Sequence, residues 1–277
     1  MKYFASMNDG LNINIIREID ENEYQAANNI LRSMERLVLI YSSKFPLYEN
    51  YKEIIELIDN YLSGKIYPMV VKYLIVVRIQ NFLSSVRGYF DTFTHTLSRE
   101  YGKESDILLE FEKQKSKAYD GNFSYRFIDT LRNFVQHRAL PLSELKLSSE
   151  NGRKTLKLII KKCDLMDDKK IPLKKKNDID ANCSDEIELT PHLTTMFGCL
   201  MIIHDQMLRM AIDSKQIEDF FMYEKQFSDI KGSLILLDRN YKENDDIELC
   251  PRPFNFVTIR AILEVVDEVF EKFYNKT

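Results

Sequence analysis

The sequence predicts a mainly α-helical fold with a small antiparallel β insertion and additional C-terminal helices. Three observations predict it. Apolar residues recur at helical spacing from about Glu21 to Leu140. Strand-like runs replace that spacing after Pro141, and helical spacing returns from about Pro191. The expected organisation is a helical region over 1–142, a β-hairpin and charged loop over 143–187, and C-terminal helices with short strands over 188–277, packed on the same core.

The stretches "YQAANNILRSMERLVLIY" and "YKEIIELIDNYLS" place apolar residues three and four apart, the spacing of amphipathic helices. Pro68 suits the first turn of a helix, where its missing N–H would be unpaired anyway, and Tyr101-Gly102 is a stop. Asn122 or Ser124 can cap the next helix, which Pro141 ends because proline lacks an amide hydrogen and clashes with the preceding turn. Two strand-like runs in "LKLSSENGRKTLKLIIKKC" flank Asn151-Gly152, a pair that favours a tight hairpin turn. The run "DLMDDKKIPLKKKNDIDANCSDE" is charged and poor in apolar residues, so it reads as a surface loop or ragged strand. Helices follow in "PHLTTMFGCLMIIHDQMLRMAI" and "FVTIRAILEVVDEVFEKFY". Between them "SLILLDRN" and "IELC" read as strands joining the hairpin in one small sheet.

Composition removes several functions. The chain has 277 residues, 44% of them hydrophobic, enough for a sizeable core. A net charge of −4 excludes coating nucleic acid by bulk charge, so any such contact must be local. Cys163, Cys183, Cys199 and Cys250 form no Cys-x-x-Cys pair and have no histidine placed to complete a zinc site; they read as reduced thiols, with no metal. With 8 glycines and no Gly-rich loop, nucleophile elbow or His-Glu-x-x-His pair, no cofactor is expected. The N-terminus lacks an apolar stretch, and Lys72 and Arg78 break the most apolar run, which points to the cytoplasm and no membrane partner.

The chemistry concentrates in "TLRNFVQHRALP". On a helix, Arg126, Asp129, Arg132, Asn133, Gln136 and His137 share an arc of about 140°, with Phe127, Ile128, Leu131, Phe134 and Val135 opposite. A histidine titrates near neutral pH and can move the proton of a ribose 2′-hydroxyl. An arginine's forked donors can hold the charge growing on a phosphate. Asn133 could hydrogen-bond the ring or the substrate. The bland reading of the same arc is a solvated helix face.

An arginine, a polar residue, three more positions and a histidine near a helix end, here Arg132-Asn133-Phe134-Val135-Gln136-His137, resembles the signature of the HEPN superfamily. "SYRFIDTLRNFVQHRALP" is similar to bacterial HEPN-like proteins, and the resemblance covers about residues 60–142. It implies a HEPN-like helical bundle that cleaves RNA, tRNA among the candidates, without metal, usually as a homodimer. It also implies a role in toxin–antitoxin pairs or abortive-infection and other anti-phage defence, with an antitoxin or regulatory partner. By the resemblance Arg132 and His137 are catalytic and Asn133 supports them. The alternative is a non-catalytic helical interaction or regulatory protein using the same face.

Other features are secondary. Arg126 and Gln136 on the arc, with Lys161, Lys162, Lys174, Lys175 and Lys176 beyond the hairpin, are candidate RNA contacts, although interspersed aspartates dilute that field. Asn81, Ser84, Ser85, Gly88, Thr92 and His95 form a stripe of small and polar residues that reads as a packing seam, and His95 receives no catalytic role. His204 reads as a satisfied core histidine.

Overall fold

The computed structural model describes residues 1–8, 12–150, 153–241 and 247–265. First come β1 (Lys2–Asn8), β2 (Asn12–Ile19) and α1 (Glu21–Ser42), then α2 (Phe45–Leu62), α3 (Pro68–Tyr101), α4 (Asp106–Gly121) and α5 (Phe123–Val135). β3 (Leu142–Glu150) and β4 (Arg153–Lys161) lead into α6 (Lys162–Met166), α7 (Leu173–Asn182) and β5 (Glu186–Glu188). After these come α8 (Leu189–Ala211), α9 (Ser214–Gln226), β6 (Ser233–Tyr241), β7 (Ile247–Pro253) and α10 (Phe256–Val265). The fold is mainly helical with two small antiparallel sheets.

The chain divides into two compact units, Met1–Ser42 with Leu208–Thr277, and Ser43–Met207, a partition different from the sequence-based boundaries. In the first unit the strand order is β2-β1-β6-β7. Residues 2–19, expected in the helical region, are therefore strands. Tyr3, Phe4, Ala5 and Ser6 are all buried, because both faces of β1 are covered and the alternation that marks a half-buried strand is lost. Tyr3 and Ala5 pack with Ile235 and Leu237, while Phe4 meets the rings of Tyr223 and Phe227. The strands expected to join the hairpin, β6 and β7, pair instead with β1 and with each other. α9 is capped by Asp213, whose carboxylate accepts from the amides of Lys215 and Gln216.

In the second unit α3 starts at Pro68 and stops at Gly102, as the sequence predicts. Gly102 takes φ 98°, a left-handed conformation that favours glycine. By length and composition α3 could cross a membrane. Here its stripe of Val71, Ile75, Ile79, Phe82, Val86, Tyr89, Phe93 and Leu97 is buried, and the helix packs against α2, α4 and α5.

The hairpin is present: Leu147 pairs with Leu156 and Glu150 with Arg153, and its Asn151-Gly152 turn lies outside the described residues. β5 adds a third strand through Ile160 and Ile187. The charged run expected as a loop folds into α6, α7 and β5. Leu165, Ile171, Ile179 and Ile187 anchor it, all buried and too far apart to show a period. The last helix is described to Val265; its expected remainder lies outside the described residues.

Candidate functional site

Helix α5 is built by a cap and a stripe. The Asn122 side chain accepts from the Tyr125 amide at 3.3 Å, and Tyr125, Phe127, Ile128 and Leu131 are buried. The helix ends at Val135, short of the expected Pro141. The His137 amide bonds back to the Phe134 carbonyl at 3.1 Å, a tightened last turn, and a residue preceding proline disfavours helical geometry. Gln136 and His137 therefore stand in a turn rather than on the helix, and both are exposed.

The polar residues of α5 separate into three environments. Arg126, expected to contact RNA, is consumed within the fold. Its Nε and Nη2 donate to the Asp178 carboxylate at 2.7 and 3.0 Å, and its Nη1 donates to the carbonyls of Tyr119 and Asp120 at 3.2 and 2.9 Å. That pairing holds the Asp178 carboxyl below its ordinary range. The clamp joins α5 to α7 and to the end of α4.

Arg132 is nearly enclosed, its side chain 11% exposed. Its Nη2 donates to Asn133 Oδ1 at 2.7 Å and lies 3.1 Å from Asp129, while its Nε is buried with no partner. The guanidinium lines a cleft of about 770 Å³ between α3, α4 and α5 together with Phe90, His95 and Tyr119.

His137 lines a different cleft, of about 400 Å³, between the end of α5 and the segment joining α6 to α7. The structure brings Asn133, Gln136, His137 and Lys175 together there, with Arg138, Asp168 and Lys170. Arg138 contacts Asp168 at 3.2 Å, and Lys175 reaches Asp129 at 3.0 Å. Arg132 and His137 thus do not share a cleft. They are linked through Asn133, which lines the histidine's cleft and is held by the arginine.

The charges of the two clefts differ in sign. Arg138, Lys170 and Lys175 stand against Asp168 in the histidine's cleft. In the larger one Arg87, Lys115 and Arg132 stand against Asp91, Glu112, Asp120 and Asp129. A phosphate is attracted to the first and not to the second.

The remaining candidates lie elsewhere. Lys162 is held by Asp180 at 3.0 Å and by the Cys183 carbonyl at 3.2 Å, and Lys176 donates to the Met166 carbonyl. Lys161 and Lys174 are exposed outside the cleft. Sequence reasoning passed over Arg138, although it directly follows His137, and read Lys170 and Asp168 only as parts of the lysine-rich run and its diluting aspartates; they reach the cleft through the fold of that run.

The small-residue stripe on α3 is not a buried seam: Asn81, Ser84, Gly88, Thr92 and His95 are exposed, and a Cβ at Gly88 would meet nothing. His192 accepts or donates a 2.8 Å hydrogen bond with Ser124 Oγ, and burial lowers its pKa. His204 is in the core as expected, but only half satisfied. Its Nδ1 lies 3.4 Å from the Tyr89 hydroxyl, and its Nε2 has no partner.

Among the described residues no group of three or more His, Cys, Asp or Glu side chains could hold a metal. Cys163, Cys183 and Cys199 are free thiols, and burial pushes Cys183 up to about 11; the Cys250 side chain lies outside the described residues. Comparison with family models, curated proteins and solved structures finds no match to this chain.

Proposed function

We propose that this protein is a metal-independent endoribonuclease of the HEPN type, with its reacting phosphate in the His137 cleft. One observation carries the reading: an exposed histidine beside Asn133 in a cleft whose lining cations outnumber its carboxylates, with Arg138 paired to Asp168 and Lys175 to Asp129 of the adjoining cleft. His137 takes the proton of a ribose 2′-hydroxyl, whose oxygen attacks the phosphorus. The bond to the 5′-oxygen breaks, that oxygen gains a proton, and a 2′,3′-cyclic phosphate remains.

Arg138 and Lys170 stabilise the charge that grows on the phosphate. Arg132 is a positioning residue in this geometry, fixing Asn133 through its 2.7 Å bond. On this reading the protein acts in the cytoplasm as a homodimer, as a toxin or in anti-phage defence, on RNA that includes tRNA, with an antitoxin or other regulator restraining it.

The test is cleavage of total RNA and tRNA in EDTA by wild type, His137→Ala and Arg132→Ala, with folding and oligomeric size matched. Cleavage by wild type with cyclic phosphate ends, lost in His137→Ala, is the expected result. A positioning role predicts that Arg132→Ala keeps the shape of the pH profile while lowering kcat.

A second reading, a non-catalytic interaction or regulatory protein using the same face, is favoured by the capture of Arg132 by Asp129 away from His137. Absence of cleavage by wild type and His137→Ala alike would select it.

A further inference from the structure

The cleft of about 770 Å³ between α3, α4 and α5 has no part in the chemistry above. Its charges argue against a phosphate. Every lysine and arginine that lines it is already held, Arg87 by Asp91 at 2.6 Å, Lys115 by Glu112 and Arg132 by Asp129 at 3.1 Å, and Asp120 adds a further carboxylate.

Its walls suit a flat, uncharged ring instead. Phe90, Tyr119 and Tyr125 line it, with Tyr125 braced edge-on against Tyr119 at 6.0 Å. Ser98, Ser116 and the exposed His95 offer donors and acceptors around those rings. A volume of about 770 Å³ is ample for a base with its ribose. The Arg126 clamp on the Tyr119 and Asp120 carbonyls fixes this wall in advance of binding.

The cleft also adjoins the proposed phosphate site. Only one layer of side chains divides them: Arg132, which lines the larger cleft, bonds to Asn133 in the other, and Asp129 in the larger one takes Lys175 from the other. We propose that this cleft is a nucleobase pocket, which receives an unstacked base of the RNA whose phosphate lies beside His137. The proposal deepens the ribonuclease reading and rests on it for the RNA. It makes the pocket the element that selects which nucleotide neighbours the cut, by stacking and by hydrogen bonds to the base edge.

Calorimetric titration of the full chain carrying His137→Ala with adenosine, guanosine, cytidine, uridine and their 3′-monophosphates tests this without turnover. At least one nucleoside binds on this proposal. Tyr119→Ala removes a stacking face and weakens it about tenfold. Ser116→Arg, on the exposed side of α4, fills the cleft and acts in the same direction without touching the core. Lys170→Glu leaves nucleoside binding unchanged and weakens the monophosphate.

Absence of nucleoside binding, or binding indifferent to both Tyr119→Ala and Ser116→Arg, overturns the pocket. The two readings fail separately. Nucleoside binding without RNA cleavage by wild type keeps the pocket and removes the nuclease, whereas cleavage without nucleoside binding does the reverse.

Discussion

His204 makes the second unit acid-sensitive in a way that one substitution removes. The residue is fully buried among Tyr89 and Phe93, its Nε2 lacks a partner, and burial pushes its pKa down to about 3, with Lys44 adding to the effect. An unfolded histidine titrates near 6.5. Between pH 7 and pH 5 the unfolded state therefore binds a proton that the folded state refuses, so the sign is loss of stability as pH falls. The gap of about 1.5 pH units below 6.5 corresponds to about 2 kcal/mol. His204→Phe keeps an aromatic side chain and loses the proton.

The assay is hydrogen–deuterium exchange of the α3 amides around Tyr89 in both proteins at pH 7 and pH 5, corrected for intrinsic rates. It reads the opening of this unit by itself. At pH 7 the variant is the less stable, because the Tyr89 hydroxyl loses its neighbour. On acidification the wild type loses about 2 kcal/mol relative to the variant. Parallel losses in the two proteins would refute the argument, because every other titrating group is common to both.

Three further outcomes follow from the site and its supports. Lys170→Glu should weaken RNA binding across sequences and lower the salt dependence by about one counterion, measured by titration at several ionic strengths. Arg126→Ala should cost about 1 to 3 kcal/mol, because it takes the guanidinium from two carbonyls and leaves the Asp178 carboxylate with only the Asn182 amide. The carboxylate part of that contribution is complete at neutral pH and is lost as pH falls through the lowered pKa of Asp178, while the carbonyl part stays, so the cost of the substitution measured by urea unfolding should shrink, without vanishing, from pH 7 to acid pH. Gly102→Ala should cost about 1 kcal/mol, seen as a lower Tm, from the backbone alone, since its Cβ would meet no neighbour.

The parts of the fold legible in the sequence were those with a local cause. Pro68 and Gly102 bound α3, Asn122 caps α5, and Asn151-Gly152 separates two strands whose pairing is as expected. What was hidden depends on partners distant in sequence. β1 reads as nothing in particular because packed side chains cover both its faces, although Asn8-Asp9-Gly10 between two short apolar runs is a hairpin signal that could have exposed it. α6 and α7 hold their places by isolated isoleucines and a leucine, which leave no period to read.

The candidate site shows the same division. The residues of "RNFVQH" were visible as chemistry. The helical wheel overran the helix by two positions, so it placed the arginine and histidine on one face where the chain sends them to adjoining clefts. The capture of Arg126 by Asp178, 52 residues away, had no local sign at all.

The pairing of β1 with β6 has a consequence for how the chain emerges during synthesis. Lys2 is registered with Asp238 and Met7 with Ser233, so the inner strand of the first sheet waits for nearly the whole polypeptide before it finds its neighbour. Ser43–Met207, by contrast, is a continuous stretch whose contacts close on themselves. The unit bearing α5 and both clefts can therefore fold on the ribosome while the first sheet still lacks β6 and β7. A protein truncated before residue 233 would carry the clefts intact and the first sheet unclosed, a state in which the exposed edge of β1 becomes the aggregation hazard.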